Sequence, residues 1–335
     1  MKTIFFEIED WEADYMRQSL SGHELIFTKE KLDKDHLPPA KDVEAISVFT
    51  KSKIDVATIA ALPNLKLIAT RTTGYDHIDI AEAVKRGITV SSVPSYGENT
   101  VAEFAMGLLL CISRRIFKSY DRIRETGSFS LEGLQGFDLK GKTVGVVGTG
   151  RIGRHLIKMA KGFDMNIIAY DAFPNEALSA ELGFRYVSFE ELLSISDVMS
   201  FHVPDLPSTR HMINMENINL IKRGAILINT ARGTVVETSA LVKALNDGIL
   251  GGAGIDVLEE ETPIRDEKEF LLTGRTDEHN LKTILENHLL IDMENVIITP
   301  HNAFNTKEAL ARILQTTSEN IVNFTAGAAT NVVKQ

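Results

Sequence analysis

With 335 residues, 44% hydrophobic and 24% charged, the chain has the length of two domains and the balance of a globular protein that buries a core in each. A formal net charge of −10 argues against a nucleic-acid partner, which calls for a basic face. The single cysteine, Cys111, allows no internal disulfide, and no apolar run reaches the roughly 18 residues that a membrane helix needs.

The chain opens on "MKTIFFEIEDWEADYM", where Glu7, Glu9 and Asp10 interrupt the apolar residues. That is not the profile of a secretory leader, and a cytoplasmic location is expected. The segments "TIFFEI", "AISVF", "LKLIATR" and "ITVSSV" form a first set of strand candidates with helix-like stretches between them. A second set begins at Thr143: "TVGVVG", "NIIAYD", "DVMSFHV", "GAILINT", "GGAGIDV" and "NVIIT". Near-continuous apolar strands separated by amphipathic helices predict parallel sheets covered on both faces. Two long helical patterns, from about Asn99 to Glu125 and from about Thr306 to Thr325, stand at the junctions between the sets. The expected fold class is α/β, with two Rossmann-like or flavodoxin-like parallel-sheet domains. A nucleotide domain (99–301) is inserted into a discontinuous substrate domain (1–98 and 302–335).

"TVGVVGTGRIGRHLIKMA", Thr143–Ala160, supports that division. Gly148, Gly150 and Gly153 match GxGxxG between a strand and a helix that begins near Arg151 and Ile152. The first glycine permits the tight turn, the second admits a pyrophosphate, and the third lets helix and strand pack. Phosphates then meet the helix N-terminus. The next strand candidate ends in Asp171, about eighteen residues beyond Gly153. An acid there accepts from an adenosine ribose and repels a 2′-phosphate, which favours NAD over NADP.

Three later strand candidates carry polar residues at their C-terminal ends, where open parallel sheets bind ligands: Arg232, then Asp256 with Glu261, then His301. Hydride transfer between nicotinamide and a carbonyl needs such a set. A guanidinium fork grips and polarises an anionic substrate, an imidazole exchanges the alcohol proton, and a carboxylate orients the imidazole. Each residue also has an ordinary reading: a solvated arginine, a hydrated "LEEETP" run, a histidine that caps the next helix. Chemistry alone does not choose Glu261 over its acidic neighbours; the case rests on the three groups together.

"VGVVGTGRIGR", "HVPDLPSTRHMIN", "LINTARGTVVETSAL", "GAGIDVLEEE" and "ITPHNAF" resemble, in order and spacing, the D-isomer-specific 2-hydroxyacid dehydrogenase family. So do "TRTTGYDHIDI" and "VPSYGENTVAEFAMGLLL", and matches run from about Lys66 to Phe304. Within the family the chain is most similar to fermentative D-lactate dehydrogenases. The resemblance implies NAD as cofactor, Arg232 as binder of the substrate carboxylate, and Glu261 as partner of the proton donor His301. It places Asp256 at the nicotinamide amide, and Val203, Pro204 and Thr230 along the dinucleotide. It puts the amides around Thr73 and Gly74 on the substrate carboxylate, with Phe49, Tyr96 and Phe304 beside the substrate. It also implies a homodimer formed through the nucleotide domain and its interdomain helix; "AEFAMGLLLCI" is apolar over more than one face, as a buried or interface helix is.

Departures exist. Gly97 and Glu98 follow Tyr96 where D-lactate enzymes often carry Ser-Pro, and "RDEKEFLLTGRTDEHNLKTILENHLL" matches no motif, reading as a mobile surface segment or a dimer contact. His202 reads as structural, the spacing of His77 with Asp76 and Asp79 fits no helix or hairpin set of metal ligands, and no metal is needed because Arg232 supplies the electrophilic pull. The alternatives are a glyoxylate/hydroxypyruvate reductase, a branched 2-oxo-acid dehydrogenase, a phosphite dehydrogenase, or an NAD(H)-sensing corepressor-like binding protein with the same fold. Formate dehydrogenases pair the histidine with Gln, so Glu261 speaks against them.

Overall fold

The computed structural model describes residues 1–261, 264 and 280–333. Contacts divide the chain into two compact units, Met1–Gly97 with Asn305–Gln335 and Glu98–Phe304. The boundary falls after Phe304, where the sequence reading places it after residue 301. Asn302 and Ala303 donate their amides to the Asp256 carboxylate, which ties this stretch to the large unit.

The small unit holds β1 (Lys2–Phe5), α1 (Asp10–Ser19), β2 (Glu24–Phe27), β3 (Ala45–Val48), α2 (Val56–Ala60), β4 (Leu67–Thr70), α3 (Ile80–Lys85) and β5 (Thr89–Ser91). Its sheet is parallel, in the order β2-β1-β3-β4-β5. Side chains alternate across a strand, and both faces are covered. Ile4, Ile46, Ile68 and Val90 therefore enter one core, while Phe5, Ala45, Leu67 and Ala69 enter another with Met16 and Leu20.

The large unit begins with α4 (Glu98–Ser113) and α5 (Ile116–Thr126). Its sheet is built from β6 (Thr143–Val147), β7 (Asn166–Tyr170), β8 (Arg185–Tyr186), β9 (Val198–Phe201), β10 (Ala225–Asn229), β11 (Leu250–Ile255) and β12 (Val296–Ile298). The connecting helices are α6 (Arg151–Gly162), α7 (Glu176–Leu182), α8 (Phe189–Ile195), α9 (Thr238–Asn246) and α10 (Leu281–Asp292). The parallel strands run in the order β12-β11-β10-β9-β6-β7-β8. Helix α6 buries Gly153, Leu156, Ile157 and Ala160, the i, i+3, i+4, i+7 stripe of an amphipathic helix. The last helix, α11 (Lys307–Thr325), returns to the small unit; Thr306 caps it through the Ala309 amide, and Leu314 and Ile321 enter the core.

Three features differ from the sequence reading. The pattern over Asn99–Glu125 is two helices, because Arg115 takes a left-handed φ of 52° and Phe137 N–H occupies the Ser113 carbonyl. Helix α4 buries Ala102, Ala105, Leu108, Leu109 and Ile112 within its own unit, whereas α5 buries none of its residues. The exposed apolar side chains are instead Ile116, Phe117, Tyr120 and Ile123, followed by Phe129 and Leu131, both 83% exposed. Edge strands β2 and β8 are missing from the expected set; each is short, with four and two residues. Of the unassigned segment, residues 265–279 lie outside the described residues, and Asn280 caps α10. Among the described residues, no helix is long and apolar enough to cross a membrane.

Candidate active site

The glycine loop links β6 to α6. Gly148 has φ +92°, and a Cβ there would lie 2.6 Å from the His202 carbonyl oxygen. A Cβ at Gly153 would lie 2.0 Å from the Gly148 carbonyl oxygen, so helix and strand pack at a distance only glycine allows. Gly150 is different: a Cβ there meets no atom within 4 Å. The fold does not need that glycine, and the space it leaves lies at the N-cap of α6, which offers no side-chain oxygen to the first-turn amides. This is the arrangement in which helix N-termini receive phosphates.

Asp171 follows β7. Its Oδ2 accepts from Thr149 N–H at 2.7 Å and Thr149 Oγ1 at 2.9 Å, and its Oδ1 accepts from Phe173 N–H at 2.9 Å. A carboxylate has about four acceptor sites, which leaves one for a ribose hydroxyl. Thr230 Oγ1 is buried with no hydrogen-bond partner among the described residues. Val203 is half-buried near Gly148, and Pro204 is exposed. An open glycine cradle, an acid at the next strand end and an orphaned hydroxyl fit a dinucleotide. Arg151 opens α6 with its guanidinium 3.7 Å from Glu98, and Ile152 packs against the core beneath.

His202 follows β9 at the same rim. Burial lowers its pKa to about 4, so the imidazole is neutral at physiological pH; Nε2 pairs with Ser200 Oγ at 2.9 Å, and Nδ1 has no partner among the described residues. A neutral imidazole held by Ser200 suits the structural role expected of it.

Arg232, Asp256, Glu261 and His301 follow the adjacent strands β10, β11 and β12. Arg232 is half-buried, with a guanidinium N–H on the Ala231 carbonyl at 2.8 Å. Asn229, missed by the sequence reading, holds this loop: its Oδ1 accepts from Ala231 N–H at 3.0 Å, and its Nδ2 donates to the Arg232 carbonyl at 2.9 Å. The available signal was a buried polar residue ending the apolar run "AILIN".

His301 takes φ +53° and donates its N–H to the Asp256 and Thr299 carbonyls, each at 2.9 Å. Its Nδ1 lies 3.1 Å from Glu261 Oε2, while Glu261 Oε1 accepts from Leu258 N–H at 3.0 Å. The acidic run is thereby resolved, because Glu259 faces His211 and Glu260 accepts from Asn280 N–H. Asp256 is 1% exposed and accepts from Thr299 Oγ1 at 2.5 Å and from the amides of Asn302 and Ala303 at 2.8 Å. Burial raises its pKa against the pull of those donors. Three acceptor sites therefore hold the His301 turn, and one remains for the nicotinamide amide that the resemblance implies. Thr299, also missed, is a clamp of this turn.

Phe49, Thr73 with Gly74, and Tyr96 follow β3, β4 and β5 in the small unit. Thr72 Oγ1 donates to the Gly74 carbonyl, and Thr73 Oγ1 to the Val93 carbonyl at 2.7 Å, which fixes the loop against the chain leaving β5. The Phe49 ring lies 5.5 Å from the guanidinium of the buried Arg71. The Tyr96 carbonyl accepts from Arg312 Nε. His77 pairs with Thr70 Oγ1 at 3.2 Å. Phe304 is assigned to the large unit, whereas Phe49, Thr73, Gly74 and Tyr96 are assigned to the small one. Among the described residues, no group of three or more His, Cys, Asp or Glu side chains is placed to hold a metal.

Residues 106–303 match the family model described as D-isomer specific 2-hydroxyacid dehydrogenase, NAD binding domain. The chain is 40% identical over 311 residues to a 2-hydroxyacid dehydrogenase homolog of Zymomonas mobilis, covering 91% of each. It is 37% identical over 306 residues to the glyoxylate reductase of Korarchaeum cryptofilum, covering 88% of this chain and 86% of that one. The crystal structure of D-lactate dehydrogenase from Aquifex aeolicus complexed with NAD and lactic acid is similar at a TM-score of 0.85 and 35% identity, covering 98% of this chain and 96% of that one.

Proposed function

Because the chain belongs to the D-isomer-specific 2-hydroxyacid dehydrogenases, NAD-dependent oxidoreductases, we propose that it reduces a small 2-oxo acid, pyruvate foremost, to the D-2-hydroxy acid. The chemistry supplied by NADH, held by Gly148, Gly150, Gly153 and Asp171, is hydride donation to the carbonyl carbon. Arg232 grips the substrate carboxylate with its planar fork and draws electron density from the neighbouring carbonyl. His301, protonated, gives its proton to the carbonyl oxygen as negative charge develops there. Glu261 accepts from Nδ1, which fixes the ring and leaves Nε2 as the nitrogen that exchanges the proton. Asp256 and Asn229 hold the two turns in place.

The observation that carries this reading is the His301–Glu261 pair at 3.1 Å, on a rim of adjacent strand ends that also bears Arg232. Pyruvate is favoured because Tyr96 and Phe304 match positions that border the substrate in D-lactate dehydrogenases; the Korarchaeum relative keeps glyoxylate as the second reading. The test is NADH oxidation by the purified protein against pyruvate, 2-oxobutyrate, branched 2-oxo acids, glyoxylate and hydroxypyruvate, with product chirality determined. Pyruvate turned over fastest, giving D-lactate, supports the assignment. Faster reduction of glyoxylate keeps the mechanism and moves the specificity, and NADH binding without turnover on any acid overturns both.

We assign a homodimer as well, with the exposed apolar face of α5 and the side chains of Phe129 and Leu131 as the surface it covers. Light scattering that returns a monomer at micromolar concentration would refute this.

A further inference from the structure

Glu259 plays no part in the chemistry above, yet three segments of the large unit converge on it. Its Oε1 lies 2.7 Å from His211 Nε2, and its Oε2 accepts from Thr238 N–H at 2.8 Å and Thr238 Oγ1 at 2.7 Å. Its backbone carbonyl accepts from Asn287 Nδ2 at 2.6 Å. Thr238 opens α9, whose own N-cap residue Glu237 makes no capping bond and accepts from Met215 N–H instead. Glu259 therefore caps α9 from a distant loop, where a carboxylate also meets the positive end of the helix dipole.

His211 is the other half of the device. It takes φ +50°, donates its N–H to the Thr234 carbonyl at 2.8 Å, and its own carbonyl accepts from Asn214 Nδ2 at 3.0 Å. Thr234 lies two residues after Arg232, and Glu259 lies two residues before Glu261. Between them Gly233 packs directly on the other loop: a Cβ there would lie 2.0 Å from the Leu258 carbonyl carbon and 2.3 Å from Glu259 N. The Arg232 loop and the Glu261 loop are thus in backbone contact, and the His211–Glu259 pair braces both.

We propose that His211 and Glu259 are positioning residues that set the spacing of Arg232 from Glu261 and His301, and so control how the 2-oxo acid is held. The inference rests on the functional reading above. Glu259 and His211 reach the reacting atoms only through the backbone, so their loss acts on substrate binding and turnover and spares the glycine loop.

Steady-state kinetics on the full chain, with NADH and the best 2-oxo acid of the panel, test this, together with NADH binding by fluorescence. Glu259→Ala is expected to lower kcat/KM about tenfold, chiefly through KM for the oxo acid, with the NADH Kd within twofold of the parent. Glu259→Gln keeps an oxygen for Thr238 and an amide for His211, and is expected to recover at least half of the parent activity. His211→Asn tolerates the left-handed backbone but is too short to reach Glu259; a three- to fivefold loss is expected, and it carries the test if Glu259→Ala does not fold. Unchanged kcat/KM in the folded variants, or an equal loss of NADH affinity, overturns the inference. His301→Asn is the control: if it keeps full activity the functional reading fails, whereas its loss beside fully active His211→Asn and Glu259→Ala sinks the brace alone.

Discussion

Each sheet reverses its strand order once, between β1 and β3 in the small unit and between β6 and β9 in the large one. Such a reversal opens a crevice beyond the strand ends, where α/β sheets take their ligands. In the large unit the turn after β6 is glycine, and Gly150 keeps its surroundings clear. In the small unit the turn after β1 carries Glu7 at φ +51°, and its carboxylate fills the crest. It accepts from the amides of Phe49 at 3.1 Å, Lys51 at 2.7 Å and Ser52 at 3.0 Å, and from Ser52 Oγ at 2.5 Å. Beneath it the buried Arg71 donates to the Phe6 and Glu7 carbonyls at 2.7 Å. Topology creates the same opening twice; one turn keeps it clear and the other closes it with the chain's own charge.

The sharpest break between the two crests is chemical. His301→Asn suits the left-handed backbone and removes the proton donor, so kcat is expected to fall about a thousandfold with the fold intact. Stopped-flow or steady-state assays check this, and a fall of less than tenfold would remove His301 from the reaction. Glu7→Ala acts on the other crest. It strips the acceptor from three amides and a hydroxyl, and a loss of about 3 kcal/mol is expected, with NADH affinity unchanged. Urea unfolding and NADH titration on the same preparation separate the two effects. If Glu7→Ala weakened NADH binding instead, the small crest would not be a closed one. Gly150→Ala completes the set: its methyl meets nothing in the fold, so the melting temperature should hold while NADH binds about 30-fold more weakly, roughly 2 kcal/mol. Calorimetric titration reads it, and undiminished affinity would mean the cradle does not receive the phosphates.

How much of this was legible in the sequence follows from the same contrast. The large crest announces itself through residues whose chemistry is local, such as GxGxxG before a helix, or an arginine and a histidine just past apolar strands, while Glu261 is singled out of its acidic run only by the resemblance. The small crest is silent, because "FFEIED" shows an acid in a turn and nothing about the amides of Phe49, Lys51 and Ser52 that it gathers from more than 40 positions away. Long-range polar pairing also hid Asn229, Thr299 and the facing of Glu259, each of which acts through loops contributed by other strands. The break between α4 and α5 was invisible for a related reason. An amphipathic period continues through Arg114–Arg115, and only the returning chain at Phe137 shows why the helix ends there.

The smallest expected effect concerns acid. The rim of the large crest carries His202, whose folded-state pKa is lowered from 6.5 to about 4 by burial. Above pH 6.5 the imidazole is neutral in both folded and unfolded chains and costs nothing. As pH falls below that value the unfolded chain takes up a proton that the folded chain refuses, so stability is lost progressively until about pH 4, where the folded form protonates too. At pH 5.5 the linkage amounts to about 1 kcal/mol. His202→Gln cannot titrate and can still reach Ser200, so the difference in stability between pH 7.5 and pH 5.5 should shrink by about that amount relative to the parent. Unfolding curves at the two pH values decide it. An equal acid loss in both proteins would mean that the imidazole is already solvated, and that the neutrality of this crest is set by something other than burial.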